Sequence, residues 1–130
     1  MGILGYSEGA LVTAHALMEH ARTTSPDDPL LFKCAVFIAG MIPYTFTKVD
    51  GKGVIGREEG PVNLGRILTI DIIGNKDDLG EAERLLELCK GSPTSMVRHE
   101  GGHFVPHRPG DMENVAEAIR KSGKWIRFGI

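Results

Sequence analysis

Short apolar runs alternate with amphipathic stretches along the chain. The short runs are rich in apolar and β-branched residues, which predicts buried strands over residues 2–6, 32–39, 66–73 and 94–99. Other stretches repeat apolar residues every three to four positions, which predicts helices over residues 8–21, 79–90 and 111–124. Asp111 follows Gly110 and is predicted to cap the last of these helices. The alternation predicts a three-layer α/β/α fold with a mostly parallel sheet.

Residues 40–65 interrupt this pattern. The segment has no sustained periodicity and is rich in glycine, proline and charge. Loops of this length are usually functional, such as lids, or poorly ordered. We therefore predict one partial domain over residues 1–130, with a lid or variable loop over residues 44–65.

The composition excludes several classes of function. The chain has 130 residues and a formal net charge of −2, so it lacks the basic surface that nucleic-acid binding needs. Its longest apolar run, residues 34–43, is roughly half of a membrane span. Ser7 and Glu8 interrupt the start where a secretory signal would be apolar. We expect a cytoplasmic protein without membrane contact, in which Cys34 and Cys89 are buried free thiols.

The first predicted strand ends in Gly5-Tyr6-Ser7-Glu8-Gly9, a full match to G-x-S-x-G. This pattern is typical of a tight strand-to-helix turn that exposes a serine in a strained backbone conformation, with small residues on either side. The backbone N–H of Glu8, at the positive end of the helix dipole, is then a candidate oxyanion donor. A glycine-containing turn with an incidental serine is the simpler alternative.

A nucleophilic serine needs a base and a carboxylate, in the chain order Ser, Asp or Glu, His. The third predicted strand is followed by Asp77 and Asp78, and the fourth by His103. Carboxyl ends of parallel strands meet at one edge of a sheet, where ligands collect. The sequence therefore predicts a catalytic group of Ser7, Asp77 and His103, with Asp78 as the alternative acid.

Residues 99–103 also match H-E-x-x-H, which would make His99, Glu100 and His103 a zinc site. That chemistry requires a helix. Two consecutive glycines at 101–102, each costing about 1 kcal/mol in a helix, and Pro106 oppose one. We therefore expect no metal and interpret the glycines as a flexible approach to His103. The remaining histidines are expected to be exposed, His15 and His20 on the first helix and His107 in a surface loop.

With these residues in place, the chain resembles the C-terminal part of the family serine hydrolases of the α/β-hydrolase fold. That group includes fungal-type serine hydrolases, the ovarian-cancer-associated hydrolase and fungal polyketide-releasing thioesterases. The matching stretches are GILGYSEGA at 2–10, FKCAVFIAGMIP at 32–43, IIGNKDDL at 72–79 and HEGGHFVP at 99–106. The resemblance implies Ser7 as nucleophile, Asp77 as acid member and His103 as general base. It also implies esterase or thioesterase activity on a small-molecule substrate, without a cofactor.

The resemblance also implies a substrate pocket. Residues 44–65 are expected to cover the acyl group, and ordinary packing beneath a lid is an equally good interpretation of the apolar residues there. The candidate lining residues are Met41, Ile42, Tyr44 and Phe46.

One departure from the family bears on activity. Family members have strands ahead of the serine strand and an early His-Gly loop with a second oxyanion donor, whereas this chain starts at the serine strand. Loss of one donor typically costs about 10²–10³ in rate, and an open apolar edge favours pairing. We therefore expect a truncated α/β-hydrolase fold that forms a homo-oligomer through that edge. The alternative to an active hydrolase is a catalytically weak or silent module that pairs with another chain.

Overall fold

The computed structural model describes residues 1–58, 64–77 and 80–128. Its strands are β1 (Gly2–Tyr6), β2 (Cys34–Ile38), β3 (Tyr44–Val49), β4 (Lys52–Arg57), β5 (Leu68–Gly74) and β6 (Thr94–His99). Its helices are α1 (Glu8–Thr23), α2 (Glu81–Leu88) and α3 (Pro109–Phe128). None of the helices in these ranges is long and apolar enough to cross a membrane.

The central sheet has the order β1-β2-β5-β6, and all of its neighbouring strands are parallel. Its register pairs Tyr6 with Ile38, Ile38 with Ile72, and Gly74 with His99. The strands therefore end close together, and the residues that follow β1, β5 and β6 lie at one edge of the sheet. Every residue of β5 is buried, as expected for a strand covered on both faces.

Helices cover both faces of this sheet. On one face, the cluster that includes Leu17 of α1 and Leu85 of α2 packs around Phe37 of β2. On the other face, Val115 and Ala118 of α3 pack against a cluster from β2 and β5, namely Val36, Ile38, Ile70 and Ile72. The predicted three-layer α/β/α fold with a parallel sheet is confirmed.

The prediction for the start of α3 was wrong. The helix begins at Pro109, a residue that suits the first helical position because its backbone lacks the N–H that would be unpaired there. Asp111 therefore lies in the first turn rather than at the cap. Its carboxylate still stabilises the helix there through the positive end of the helix dipole.

The prediction of an irregular loop after residue 43 was also wrong for residues 44–57. Strands β3 and β4 form an antiparallel hairpin in which Val49 pairs with Lys52. The two residues between them, Asp50 and Gly51, both have positive φ, at 50° and 76°. That backbone is typical of a type I′ turn, which matches the twist of a hairpin. Residues 59–63 of the same segment lie outside the described residues.

An ion pair fixes the base of this hairpin to α2. Arg57 Nη2 lies 2.6 Å from Glu81 Oε2 and donates a hydrogen bond to the Ile42 carbonyl at 2.8 Å. The Ile42 N–H donates in turn to Glu81 Oε2 at 3.0 Å, and the Arg57 guanidinium lies 4.8 Å from the centre of the Tyr44 ring. Charge-assisted hydrogen bonds of this kind are the stronger ones in proteins. They hold the backbone that leads from Met41 into β3.

Candidate active site

Ser7 lies at the junction of β1 and α1. Its backbone has φ 53° and ψ −119°, a conformation that costs about 1–3 kcal/mol for a residue with a side chain and is concentrated at functional sites. The Ser7 N–H donates to the Ile38 carbonyl at 3.0 Å, and the Ser7 carbonyl accepts from Ala10 N–H at 3.0 Å. These two backbone hydrogen bonds, to β2 and to the first turn of α1, therefore hold the strained turn that projects the Ser7 side chain above the sheet.

The two glycines of the serine motif differ in their surroundings. A Cβ atom at Gly5 would lie 2.5 Å from the Gly9 carbonyl oxygen and 2.6 Å from Ala10 Cα, so no larger residue fits there. A Cβ atom at Gly9 would meet no described atom within 4 Å. The expectation of steric need on both sides of Ser7 is therefore correct at Gly5 and wrong at Gly9.

Ser7, His103 and Asp77 form a continuous hydrogen-bonded series. Ser7 Oγ lies 2.7 Å from His103 Nε2, and His103 Nδ1 lies 2.9 Å from Asp77 Oδ2. The Asp77 side chain is 4 % exposed and that of His103 is 25 % exposed. A carboxylate at Nδ1 favours the tautomer that carries its proton there, which leaves Nε2 free to accept the serine proton. Asp78, the alternative acid, lies outside the described residues.

Backbone hydrogen bonds tie the Asp77 loop to the His103 loop. Asn75 N–H donates to the His99 carbonyl at 2.8 Å, and Lys76 N–H donates to the Gly101 carbonyl at 2.9 Å. A Cβ atom at Gly74 would lie 2.3 Å from the Gly102 carbonyl oxygen. The absence of a side chain at Gly74 therefore permits close packing of the two loops. Of the pair before His103, Gly101 has no room for a side chain because a Cβ atom there would lie 2.3 Å from the Phe104 ring, whereas one at Gly102 would meet nothing nearer than 3.5 Å.

Tyr6 is a neighbour of His103 that the sequence did not indicate. Its hydroxyl donates to the His103 carbonyl at 3.1 Å, and the two ring centres lie 6.1 Å apart. Tyr6 is an unspecified position of the G-x-S-x-G motif, so no pattern signals this contact. On the other side of Ser7, its Oγ lies 3.8 Å from Met41 Sδ.

The candidate pocket residues have different locations. Met41 contacts the Ser7 hydroxyl, whereas Ile42 is 1 % exposed and belongs to the interior. Tyr44 lies at the start of β3 beside Arg57. The side chain of Phe46 lies outside the described residues. The structure thus brings one of the four candidates into contact with Ser7.

The helix that the zinc alternative requires does not form. His99 is the last residue of β6, and residues 100–108 are not helical. Both ring nitrogens of His103 are engaged by Ser7 and Asp77. Within the described ranges, no three side chains of the metal-binding types form a group that could hold an ion. The zinc interpretation of residues 99–103 was therefore wrong.

The other histidines partly match the expectation. His15 and His107 are exposed. His20 is only partly exposed, because its ring packs edge-on against Phe32 at 5.9 Å and its Nδ1 lies 3.1 Å from the Thr24 hydroxyl. The exposed position predicted for His20 was therefore wrong.

An unusual carboxyl lies below the site, in the middle of β5. Burial raises the pKa of Asp71 to about 7, and a hydrogen bond from the Thr69 side chain lowers it by a smaller amount. Burial and the Asp71 charge also raise the pKa of the Cys89 thiol to about 12. Thiolates are the reactive form of cysteine, so Cys89 is an inert part of the core. Cys34 and Cys89 are both free, as predicted, but only Cys89 is buried, so the predicted burial of Cys34 was wrong.

Comparison with known proteins shows which family the sequence is similar to. The family model described as serine hydrolase (FSH1) matches residues 1–115. The fungal protein named Hydrolase phiM is 26 % identical over 98 % of this chain and 61 % of its own length. Esterase FUS5 of Gibberella fujikuroi is 31 % identical over 91 % of this chain and 45 % of its own length. The chain thus spans about half to three fifths of these relatives.

Solved structures support the fold. The carboxylesterase of Bacillus cereus superposes with a TM-score of 0.62 at 20 % identity, over 94 % of this chain and 50 % of that one. The carboxylesterase of Mesorhizobium loti gives a TM-score of 0.61 at 20 % identity, over 92 % and 48 %. Both show that the described part of the chain has the architecture of an α/β-hydrolase.

Proposed function

Because the chain belongs to the serine hydrolase (FSH1) family, we propose that it cleaves carboxylic esters or thioesters through an acyl-Ser7 intermediate. The observation that carries the proposal is the hydrogen-bonded series from Ser7 Oγ through His103 to Asp77, with separations of 2.7 and 2.9 Å. A serine next to a base, itself oriented by a carboxylate, is the arrangement that nucleophilic catalysis requires.

In the acylation step, Ser7 Oγ attacks the carbonyl carbon of the substrate while His103 Nε2 takes the serine proton. The carbonyl oxygen becomes an oxyanion. Glu8 is the first residue of α1, so its N–H has no acceptor within the helix and can donate to that oxyanion. The tetrahedral intermediate then collapses, the bond to the alcohol or thiol breaks, and His103 gives its proton to the leaving group.

In the deacylation step, water replaces the leaving group beside His103. His103 Nε2 takes a proton from this water, and the resulting hydroxide attacks the acyl carbon. The bond to Ser7 breaks, Ser7 Oγ regains the proton from His103, and the free acid departs. Asp77 stays ionised throughout and stabilises the imidazolium that forms in both steps.

A fluorophosphonate probe tests the nucleophile. The wild-type chain should be labelled and Ser7→Ala should not, since the probe forms its covalent bond with an activated serine. The matched control is Ser95→Ala, which removes an exposed hydroxyl on β6 and should leave labelling unchanged. Equal labelling of wild type and Ser7→Ala contradicts the assignment of Ser7.

Asp77→Asn tests the acid member. The amide should favour the wrong His103 tautomer, so kcat for a p-nitrophenyl ester should fall by about 10⁴ with a much smaller change in KM. Full activity of Asp77→Asn would leave Asp78 as the candidate acid. Parallel assays with an acyl thioester establish whether the leaving group is preferably an alcohol or a thiol.

Association through β1 is a separate proposal. In the described sheet β1 pairs with β2 on one side, and Leu4 of β1 is exposed. An exposed apolar edge strand favours pairing with another strand. Light scattering that gives the mass of one chain at every concentration contradicts a homo-oligomer.

A further inference from the structure

A cavity of about 600 Å³ lies between α1 and the β3–β4 hairpin. We call it the hairpin groove. Residues from two turns of α1 form one wall, and residues from β3 and β4 form the other. They are Leu11, Val12 and His15 on the helix, and Tyr44, Thr45 and Ile55 on the hairpin. Its volume is in the range of small-molecule binding sites, which are also mostly apolar.

The helix wall of the hairpin groove begins one turn after the nucleophile. Leu11 N–H donates to the Ser7 carbonyl at 3.3 Å, so Leu11 is one helical turn, about 6 Å, beyond Ser7. Tyr44 follows closely after Met41, whose sulfur lies 3.8 Å from Ser7 Oγ. The ion pair of Arg57 with Glu81 holds this connection in place. Both walls therefore begin within a few residues of Ser7 or of Met41, its neighbour in space.

The surface of the groove suits an uncharged apolar ligand. Its lining within the described residues contains no Asp, Glu, Lys or Arg side chain. Val12 and Ile55 are nevertheless 65 % and 72 % exposed, so the groove presents apolar surface to solvent. Contiguous apolar surface of this kind marks a site of binding.

The direction of the groove distinguishes the acyl side of a substrate from its leaving group. His103 must protonate the leaving group, which therefore lies on the His103 side of Ser7. Among the described residues, none that lines the groove belongs to the loop that carries His103. The part of the substrate that can enter the groove is therefore the acyl chain.

We infer that the hairpin groove binds a straight, uncharged acyl chain of medium length, with the substrate carbonyl at Ser7. This inference rests on the proposed function of Ser7. Leu11 lies about 6 Å beyond Ser7, which is farther than an acetyl group reaches, whereas an octanoyl chain is long enough to contact the helix wall of the groove. Each methylene buried contributes about 0.8 kcal/mol, or about fourfold in kcat/KM. Burial of even two methylenes gives an octanoyl ester at least a tenfold preference over an acetyl ester.

Ile55→Asp tests the groove by kinetics. A carboxylate on this exposed wall should lower kcat/KM for p-nitrophenyl octanoate at least tenfold more than for p-nitrophenyl acetate. The matched control is Val54→Asp, because neighbouring residues of a strand face opposite sides and Val54 is also exposed. Val54→Asp should leave the ratio of the two substrates unchanged.

Ser7→Ala separates this inference from the proposed function. The variant cannot form an acyl-serine, so calorimetric titration with the two esters measures binding alone. Tighter binding of the octanoyl ester, lost when Ile55→Asp is added, supports the groove whether or not the wild type is labelled by a fluorophosphonate. Equal binding of both esters overturns it, even if Ser7 is labelled. A lower melting temperature of Ile55→Asp without a change in chain-length preference also overturns it, because Ile55 would then contribute to folding and not to binding of the acyl chain.

Discussion

The buried carboxyl of Asp71 should make the chain less stable as the pH rises. Asp71 is 2 % exposed, and its Oδ2 has no hydrogen-bond partner within the described residues. Its pKa is about 7 in the folded chain against 3.8 for an ordinary aspartate. Between these values the unfolded chain loses its proton while the folded chain keeps it. Stability that is present below pH 4 is therefore lost on the way to pH 7.

The size of the effect follows from the gap between the two pKa values. About three pH units at about 1.4 kcal/mol each correspond to roughly 4 kcal/mol. Asp71→Asn removes this ionisation. The free energy of unfolding of the variant, minus that of the wild type, should therefore rise by up to about 4 kcal/mol between pH 4 and pH 8. The amide introduced by Asp71→Asn also buries N–H groups, which lowers the free energy of unfolding of the variant by about 1–3 kcal/mol at every pH. This cost shifts the difference between the two chains by a constant and leaves its dependence on pH unchanged.

Urea unfolding at a series of pH values, followed by circular dichroism, measures this difference. All other titrating groups are common to both chains, so they cancel. Asp27→Asn is the matched control, because Asp27 is exposed and its carboxylate stays in water in both states. Parallel stability curves for wild type and Asp71→Asn across this pH range would refute the reasoning, since they would mean that Asp71 ionises equally in the folded and unfolded chains.

Two further predictions concern the neighbours of His103. Tyr6→Phe removes the hydrogen bond to the His103 carbonyl, which is worth about 0.5–1.5 kcal/mol. The kcat should therefore fall about two- to tenfold with KM unchanged. An unaltered kcat in steady-state assays speaks against this contact. Gly74→Ala places a Cβ atom against the Gly102 carbonyl, so the free energy of unfolding should fall by about 1–3 kcal/mol and kcat with it. Gly110→Ala, which meets open space, should not destabilise in the same melts, and equal behaviour of both glycine variants contradicts the packing argument.

Much of the fold was predictable because its signals are local. A short apolar run predicts a buried strand, a three-to-four-residue repeat predicts a helix, and their alternation predicts parallel pairing. The meeting of Ser7, Asp77 and His103 then follows from one topological rule, that parallel strands end at the same edge. The catalytic roles of the three residues stay predictions.

The β3–β4 hairpin was missed although the sequence contains its signal. Asp50-Gly51 between two stretches with β-branched residues is typical of a type I′ turn. The signal is easily overlooked because most of β4 is exposed. Without a buried face, its strands lack the alternation of apolar and polar residues that usually identifies a strand.

Contacts between residues far apart in the sequence could not be predicted. The ion pair of Arg57 with Glu81 depends on how the hairpin packs against α2, and the hydrogen bond from Tyr6 to His103 depends on the path of the loop after β6. Neither residue type nor spacing specifies that path. The clash at Gly5 and the open space at Gly9 likewise differ only through the packing of β1 against the first turn of α1.

The hydrogen bonds between the Asp77 and His103 loops limit how the site can move. Because the two loops share backbone hydrogen bonds, the acid and the base shift together, while Ser7 belongs to a different strand and helix. One side-chain hydrogen bond, from Tyr6 to the His103 carbonyl, ties the Ser7 side to these loops. The distance from Ser7 Oγ to His103 Nε2 should therefore be less restrained than the distance from His103 Nδ1 to Asp77 Oδ2. Remote substitutions that leave the chain folded should alter turnover mainly by changing the fraction of time for which the distance from Ser7 to His103 is short.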